Sequence, residues 1–405
     1  MKELKDKLNI DEQIKLLNRC VLNDLPLHEE LNNLGLTYDN LRYNNYVNGF
    51  SRQGKAETLD NIKPSNEEIP AISFFSGAGG LEIGFKYAGF KNLASIENNE
   101  LFCDTLKLNN PNQIIIGPPD YSGNISCREE IKDILEKKVG IKVNFEGVFH
   151  GGPPCQPFSI ASNQRFKKQG DNFKRLGFED KEKGNLLFDY LWFIEYFQPR
   201  AFLIENVPGL EELDEADLIK KHLEKLSNIG YSITKPTVLN AADFGIPQSR
   251  KRLFIIGIKG NQMYKFPKPN IYQAASYDVF QADLKNVENH ITRNHTAESI
   301  LRYINLDFGM RDKLGRVDRL NPFLPSKTVI AGGTKGGGRS HLHPYSPRTL
   351  SARESARIQT FPDEYIFTGS SARQFTQVGK AVPPLLAYKL ALELKSTLPN
   401  TQYSQ

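Results

Sequence analysis

Four cysteines are spread over 405 residues, at positions 20, 103, 127 and 155, and no two have the CxxC spacing. The paired thiolates of a structural zinc site are therefore missing, and no metal is expected. A disulfide framework is equally out of place in so long a chain with no export signal. No run of about 18 apolar residues occurs, which excludes a membrane span. The opening MKELKDKLNIDEQ lacks the apolar core of a signal peptide, so the expectation is a cytoplasmic protein with no membrane partner. Internal repeats are absent, and the one low-complexity patch is GGTKGGGRS (332–340).

What remains is an ordinary globular composition, 39% hydrophobic and 24% charged, long enough for two or three folding units. The net charge of +5 is too small to name a partner, but its distribution is uneven. Residues 259–340 carry thirteen Lys and Arg against seven Asp and Glu, while the rest is near balance. A local basic excess is what phosphate binding requires, although a solvated surface has the same count.

Residues 1–65 are polar, with Ile14, Leu17, Val21 and Leu22 at helical spacing. LHEELNNLGLTYDNLRYNNYV (27–47) reads as helix, Gly-containing turn, helix. That pattern suits a helix-turn-helix. A small helical appendage on the main domain suits the nine basic and ten acidic residues of this segment better. KPSNEEIP (63–70) reads as a linker. Short apolar runs at 71–75, 92–97, 147–152, 201–207 and 253–258 then alternate with amphipathic stretches at 81–90, 185–197 and 216–230. Such alternation predicts a doubly wound α/β fold with a mostly parallel sheet. From about residue 260 periodicity is lost, and helices return at 349–362 and 383–398. The expected division is a helical segment over 1–65, an α/β domain over 70–260, a small irregular domain over 261–345, and a return to the α/β domain over 346–405.

Three sites stand out. SGAGGLEIGF (76–85) joins a strand to a helix, and Gly77, Gly79 and Gly80 let backbone approach a ligand there. Glu97, at the end of the next strand, is placed to accept ribose hydroxyls. A dinucleotide site fits this turn as well as a methyl-donor site does. HGGPPCQPFS (150–159) presents Cys155 from a loop stiffened by two prolines, as a nucleophile held for attack requires. The other three cysteines read as packed thiols. Finally, Glu205 closes the apolar strand FLIENV, and Gln248, Arg250 and Arg252 alternate in FGIPQSRKRLF (244–254), sharing one face if extended.

Taken in order, GAGG, GGPPCQPFS, ENV, PQSRKR, RESARIQTFP (353–362) and QVGKAVPP (377–384) resemble the DNA cytosine-5 methyltransferase family of bacterial restriction–modification type. The resemblance runs from about Ile72 to Leu394 and weakens in the basic segment. It implies an S-adenosylmethionine-dependent enzyme that methylates carbon-5 of a flipped-out cytosine in double-stranded DNA. It also implies action as a monomer, with a cognate restriction endonuclease as a possible companion. Cys155 resembles the nucleophile, Glu205 its acid partner and Arg252 the arginine that holds the ring and Glu205. Phe75, Gly77, Gly79, Gly80, Glu97, Leu186 and Val382 match cofactor-lining positions. Pro154 matches the residue between base and cofactor, and Asn124 stands where an acid usually reads the adenine amine. Gln156, Ser159, Arg250, Thr328, Arg319 and Arg339 are the expected substrate and DNA contacts. Three further departures are Ser73, where Asp is usual, KGNL (183–186), where Arg-Gly-x-Leu is usual, and Lys380, where Asn is usual. The rival readings are a tRNA cytosine-5 methyltransferase on the same scaffold, a catalytically silent relative, and a nicotinamide oxidoreductase. The last leaves GGPPCQPFS and PQSRKR unexplained, and the silent relative is disfavoured by the presence of both Cys155 and Glu205.

Overall fold

A computed structural model of the chain describes residues 7–45, 54–65, 69–154, 186–208, 216–281, 284, 286–331 and 341–398. Two compact units result: residues 1–57, 245–249 and 270–380 make one, and residues 58–244, 250–269 and 381–405 the other. Cys155, Gln156, Ser159 and Arg339 lie outside the described residues. Two helices of the first unit, α1 (Ile10–Leu22) and α2 (Leu27–Asn33), come first in the chain.

The second unit is built on a sheet of eight strands: β1 (Ile69–Phe74), β2 (Phe90–Ile96), β3 (Ile114–Ile116), β4 (Val148–Gly151), β5 (Ala201–Asn206), β6 (Tyr231–Ile233), β7 (Thr237–Asn240) and β8 (Lys251–Lys259). Their order is β3-β2-β1-β4-β5-β8-β6, with β7 also paired to β8. The first five are parallel. β8 runs antiparallel to β5, β6 and β7. The chain moves outward from β1 to β3 and then returns to β4 on the other side of β1. In an open α/β sheet such a reversal opens a ligand crevice beyond the carboxyl ends of the strands.

Helices cover both faces. On one, Ile72, Phe74, Phe149, Phe202 and Ile204 pack in a single core with residues of α5 (Arg128–Ile134), α6 (Leu186–Phe197) and α7 (Ala216–Asn228), helices that follow α3 (Gly80–Tyr87) and α4 (Glu100–Asn109). Phe74 lies 5.0 Å from Phe149 and 4.8 Å from Tyr190, ring centre to ring centre. Burying each such ring contributes about 1.5–3 kcal/mol. On the other face, His150 stacks at 4.2 Å against Phe85 of α3, and Tyr264 donates to the Leu390 carbonyl in the helix Pro384–Thr397. The expected doubly wound fold is therefore present. No helix among the described residues is long and apolar enough to cross a membrane.

The first unit joins α1 and α2 to α8 (Ala297–Tyr303), α9 (Ala352–Ile358), α10 (Ser371–Lys380) and a small sheet of β9 (Arg311–Asp312), β10 (Val317–Arg319) and β11 (His341–Leu342). Leu16, Leu17, Cys20, Leu27, Leu31, Tyr38 and Leu41 share one core with Ala297, Ile300, Tyr303, Ile304, Val317 and Leu342. A buried ion pair reinforces it: Arg348 donates from both Nη atoms to Glu354, at 2.8 and 2.7 Å, and from Nε to Asp39 at 2.6 Å.

Within the described part of 27–47, the single turn Tyr38–Asn40 follows α2, closed by reciprocal hydrogen bonds between Thr37 and Asn40. Two features differ from the sequence reading. Residues 1–57 belong to the same unit as 270–380, because their apolar positions complete that unit's core. Residues 346–380 also stay in that unit, and only 381–405 return to the large sheet. Arg353 shows why: fully buried, it donates to the carbonyls of Glu288, Pro362 and Tyr365, which anchors α9 within its own unit.

Burial alone would raise the Glu354 carboxyl, but the charge of Arg348 outweighs it and holds Glu354 well below the usual carboxylate range. A depressed folded-state value stabilises the fold above the unfolded-state value, about pH 4.3, and that contribution fades as pH falls through the folded-state value. Glu354→Gln should therefore cost about 3–5 kcal/mol at pH 7, the cost of breaking a buried pair. In urea unfolding the gap to the parent chain should narrow below about pH 4. A gap that stays constant with pH would contradict the assignment.

Candidate active site

Register brings three carboxyl ends together. Phe74 of β1 stands opposite Gly151 of β4, and Gly151 opposite Ile204 of β5. The turn after β1, the loop after β4 and Glu205 therefore emerge side by side. Because β8 is antiparallel, its beginning lies beside the end of β5, with Glu205 opposite Phe254. Arg252, two residues before Phe254, reaches Glu205 with Nε 2.9 Å from Oε1. A second Arg252 donor, Nη1, binds the Lys251 carbonyl at 2.8 Å and fixes the guanidinium. Both partners are largely buried, with 13% of the Glu205 and 18% of the Arg252 side chain exposed.

The other Glu205 oxygen faces the loop that carries Cys155. A methyl group built on Gly152 would sit 2.7 Å from Glu205 Oε2, so only glycine leaves that carboxyl its place. Burial pushes the Glu205 carboxyl up from its ordinary value, and Arg252 and then Arg250 pull it back only in part. It is thus poised to hold a proton closer to neutral pH than a free carboxylate does. Arg250 is itself 1% exposed, and its ordinary value is lowered by burial, then by Arg252. It belongs with Glu205 and Arg252 inside the unit rather than on an outer surface.

Beside this pair lies the glycine-rich turn. Gly77 donates its N–H to Glu97 Oε2 at 2.8 Å, and Asn99 donates to Oε1 at 2.9 Å. Glu97 thereby ties the turn to the segment that follows β2. Gly79, at φ 77°, opens α3, and a methyl group on Gly80 would lie 2.3 Å from the Val382 carbonyl. Phe75 also has positive φ, 53°, and its ring meets Tyr190 edge-on. A non-glycine residue in that region is strained, and such strain gathers at ligand sites. Leu186 and Val382 are buried, and Pro154 is exposed. Asn124 is exposed, and its side-chain oxygen already accepts from the Ser126 N–H. An acid, an aromatic ring and two aliphatic side chains form a set that fits a nucleoside-bearing cofactor.

Some expected DNA contacts have other duties. Arg319, expected to touch DNA, is 1% exposed. Its Nε and Nη2 donate to the Pro344 carbonyl, Nη1 reaches Asn45 and Leu306 carbonyls, and the guanidinium lies 3.5 Å from the centre of the Tyr43 ring and 4.3 Å from that of Phe308. It is therefore engaged in holding its own unit together and is buried from solvent. Gln248 is buried as well, donating to Gln359 and accepting from the Val329 N–H. Thr328 donates to the Ser249 carbonyl at 2.7 Å. Arg302 and Arg311 pair with Asp312 and Asp318. Glu82, a buried acid below the glycine-rich turn, was missed by sequence reasoning. Its only signal was a charge inside the apolar run LEIGF.

Comparison with known proteins is concordant. The model of the C-5 cytosine-specific DNA methylase family matches residues 69–396. The type II methyltransferase M.DdeI of Desulfomicrobium norvegicum is 30% identical over 390 residues, covering 79% of this chain and 87% of its own. M1.HphI of Haemophilus parahaemolyticus is 32% identical, covering 79% and 85%. M.MthTI of Methanothermobacter thermautotrophicus is 32% identical, covering 80% and 97%. Among solved structures, a prophage-encoded Escherichia coli protein aligns with TM-score 0.63 at 24% identity over 82% of this chain and 99% of its own. The Entamoeba histolytica methyltransferase EhMeth aligns with TM-score 0.55 at 19% identity, over the same shares. These structural likenesses speak to fold alone.

Proposed function

The chain belongs to the C-5 cytosine-specific DNA methylase family and is a DNA cytosine-5 methyltransferase, and from that premise we propose which residues carry the reaction. The observation that supports the assignment most is the Glu205–Arg252 pair at 2.9 Å, with Gly152 of the Cys155 loop against the free oxygen of Glu205. Carbon-5 of cytosine is a weak nucleophile until electrons are pushed into the ring. Cys155 adds as thiolate to carbon-6. Glu205 donates a proton or hydrogen bond to ring nitrogen 3, where negative charge develops. Arg252 keeps that carboxyl aimed, and buried Arg250 adds positive potential beside it. Carbon-5, now enamine-like, accepts the methyl group. Loss of the carbon-5 proton then expels Cys155 by β-elimination.

S-adenosylmethionine supplies the methyl group from a positively charged sulfur when bound. Glu97 would accept its ribose hydroxyls, and Phe75, Leu186 and Val382 would pack on its apolar surfaces. Gly77, Gly79 and Gly80 would let backbone approach, Asn124 would read the adenine amine, and Pro154 would separate base from cofactor. The cytosine must leave the stack to reach Cys155, at a cost of a few kcal/mol. Gln156 and Ser159 would contact that base, and Thr328, Arg339 and exposed Arg316 would grip DNA backbone.

We also propose a bacterial restriction–modification role in the cytoplasm, next to a cognate endonuclease, with one chain acting per DNA site. Cellular DNA should then resist a type II endonuclease that cuts at the modified site, and light scattering should give the mass of a single chain. Cleavable DNA or a stable dimer would refute this.

Cys155→Ser should abolish methyl transfer while S-adenosylmethionine affinity stays within about twofold. Gly152→Ala should lower kcat by about a hundredfold by displacing Glu205, again without loss of cofactor binding. Retained turnover in Cys155→Ser would refute the nucleophile.

A further inference from the structure

Below the glycine-rich turn lies a buried polar cluster that the reaction does not use. Glu82, in the first turn of α3, is 5% exposed. Ser95 of β2 donates to its Oε1 at 2.7 Å, and Gln113, just before β3, donates to its Oε2 at 3.4 Å and also binds Ser95. Asn92 donates to Ser95 Oγ at 3.0 Å. On the turn side, Ser76 Oγ donates to Ser73 Oγ at 2.9 Å, and both hydroxyls act on the Glu82 carboxyl. Ser76 is a member of the turn itself, and its N–H binds the Ile96 carbonyl at 3.1 Å.

Among the described residues the acid makes no ion pair. The groups acting on it from β1, the turn, β2 and the approach to β3 are all neutral: Ser73, Ser76, Ser95 and Gln113. His150, the neighbour of Ser73 across β1 and β4, is kept neutral by burial, which takes its imidazole down to about 3. Lys86 on the same helix and Lys91 on β2 are exposed. An ionised carboxylate with no paired cation is too costly in such a place. The protonated form is not: it accepts from Ser95 and Gln113 and has one O–H left to give to the serine hydroxyls. Burial pushes the Glu82 carboxyl upward, and the hydrogen bonds of Ser95, Ser76, Ser73 and Gln113 pull it back only in part.

We propose that Glu82 is a positioning residue for the cofactor turn, held as a neutral carboxylic acid whose O–H ties Ser73 and Ser76 to the β2–β3 side of the sheet. Glu97 fixes the turn at Gly77 from above, and Glu82 fixes it at Ser76 from below. Glu82 itself touches neither cofactor nor DNA. The proposal rests on the reading that this turn holds S-adenosylmethionine.

The test has a spectroscopic and a binding arm on the full chain. The infrared difference between the parent chain and Glu82→Gln at neutral pH should contain the carbonyl stretch of a protonated carboxylic acid. In calorimetric titration with S-adenosylmethionine, Glu82→Gln, which keeps a neutral donor, should bind within about threefold of the parent, and Glu82→Ala about tenfold more weakly. Carboxylate bands alone, a tenfold loss in Glu82→Gln, or parent-like binding by Glu82→Ala would each overturn the proposal. If Glu82→Ala does not fold, the infrared band and the Gln variant still decide. Glu97→Ala separates the two readings: unchanged affinity there would show that the cofactor does not sit at this turn, whatever Glu82 does.

Discussion

One desolvated ion pair, that of Glu205 with Arg252, carries the proposed chemistry, and the sheet has the form needed to make it. Parallel strands alone cannot supply the pair. They send their carboxyl ends to one edge, so β1, β4 and β5 deliver the glycine-rich turn, Gly152 and Glu205 there. The arginine must come from a strand that begins at that edge, and antiparallel β8 is that strand. Around the pair, burial raises the acid and the guanidinium restrains it, leaving a carboxyl able both to hold and to give a proton. Glycine at 152 is the geometric condition, because any side chain there meets Glu205 Oε2.

Much of this was legible in the sequence for simple reasons. The central strands are short apolar runs with turn residues at their ends, and each run found lies within about a residue or two of its strand. Strands β3, β6 and β7 were not read, being only three or four residues long, with III too short to separate from a helix and the other two partly polar at the sheet margin. Glu205 and Arg252 were legible because a charge bordering an apolar strand is costly to desolvate and persists where it has a partner or a task. Arg319 was misread for the opposite reason. Charge counting cannot distinguish an arginine that seeks phosphate from one that caps carbonyls and stacks on Tyr43, and its neighbours Val317 and Leu320 were the unused hint. The N-terminal segment was misplaced because amphipathic spacing shows that a helix has a partner, not which one.

The two units handle buried charge in different ways. In the first, Arg348, Glu354 and Asp39 neutralise one another, and Arg319 and Arg353 are satisfied by carbonyls and rings; these serve cohesion. In the second, Arg250 and Arg252 both act on Glu205, Phe75 is strained, and Glu82 is buried among neutral groups. Arrangements of the second kind lower stability unless a ligand or a bound proton compensates. They occur here along one edge of the sheet, beside the turn and the Cys155 loop.

The central claim is that a thiol on the Gly152 loop adds to cytosine while Glu205 supports the ring. Its most direct measurement is mass spectrometry of the protein incubated with S-adenosylmethionine and duplex DNA bearing 5-fluorocytosine at the modified position, where loss of the carbon-5 proton is blocked. The account predicts a stable adduct on the peptide containing Cys155, formed much more slowly when Glu205 is replaced by Gln. No adduct, or one on another residue, would contradict it.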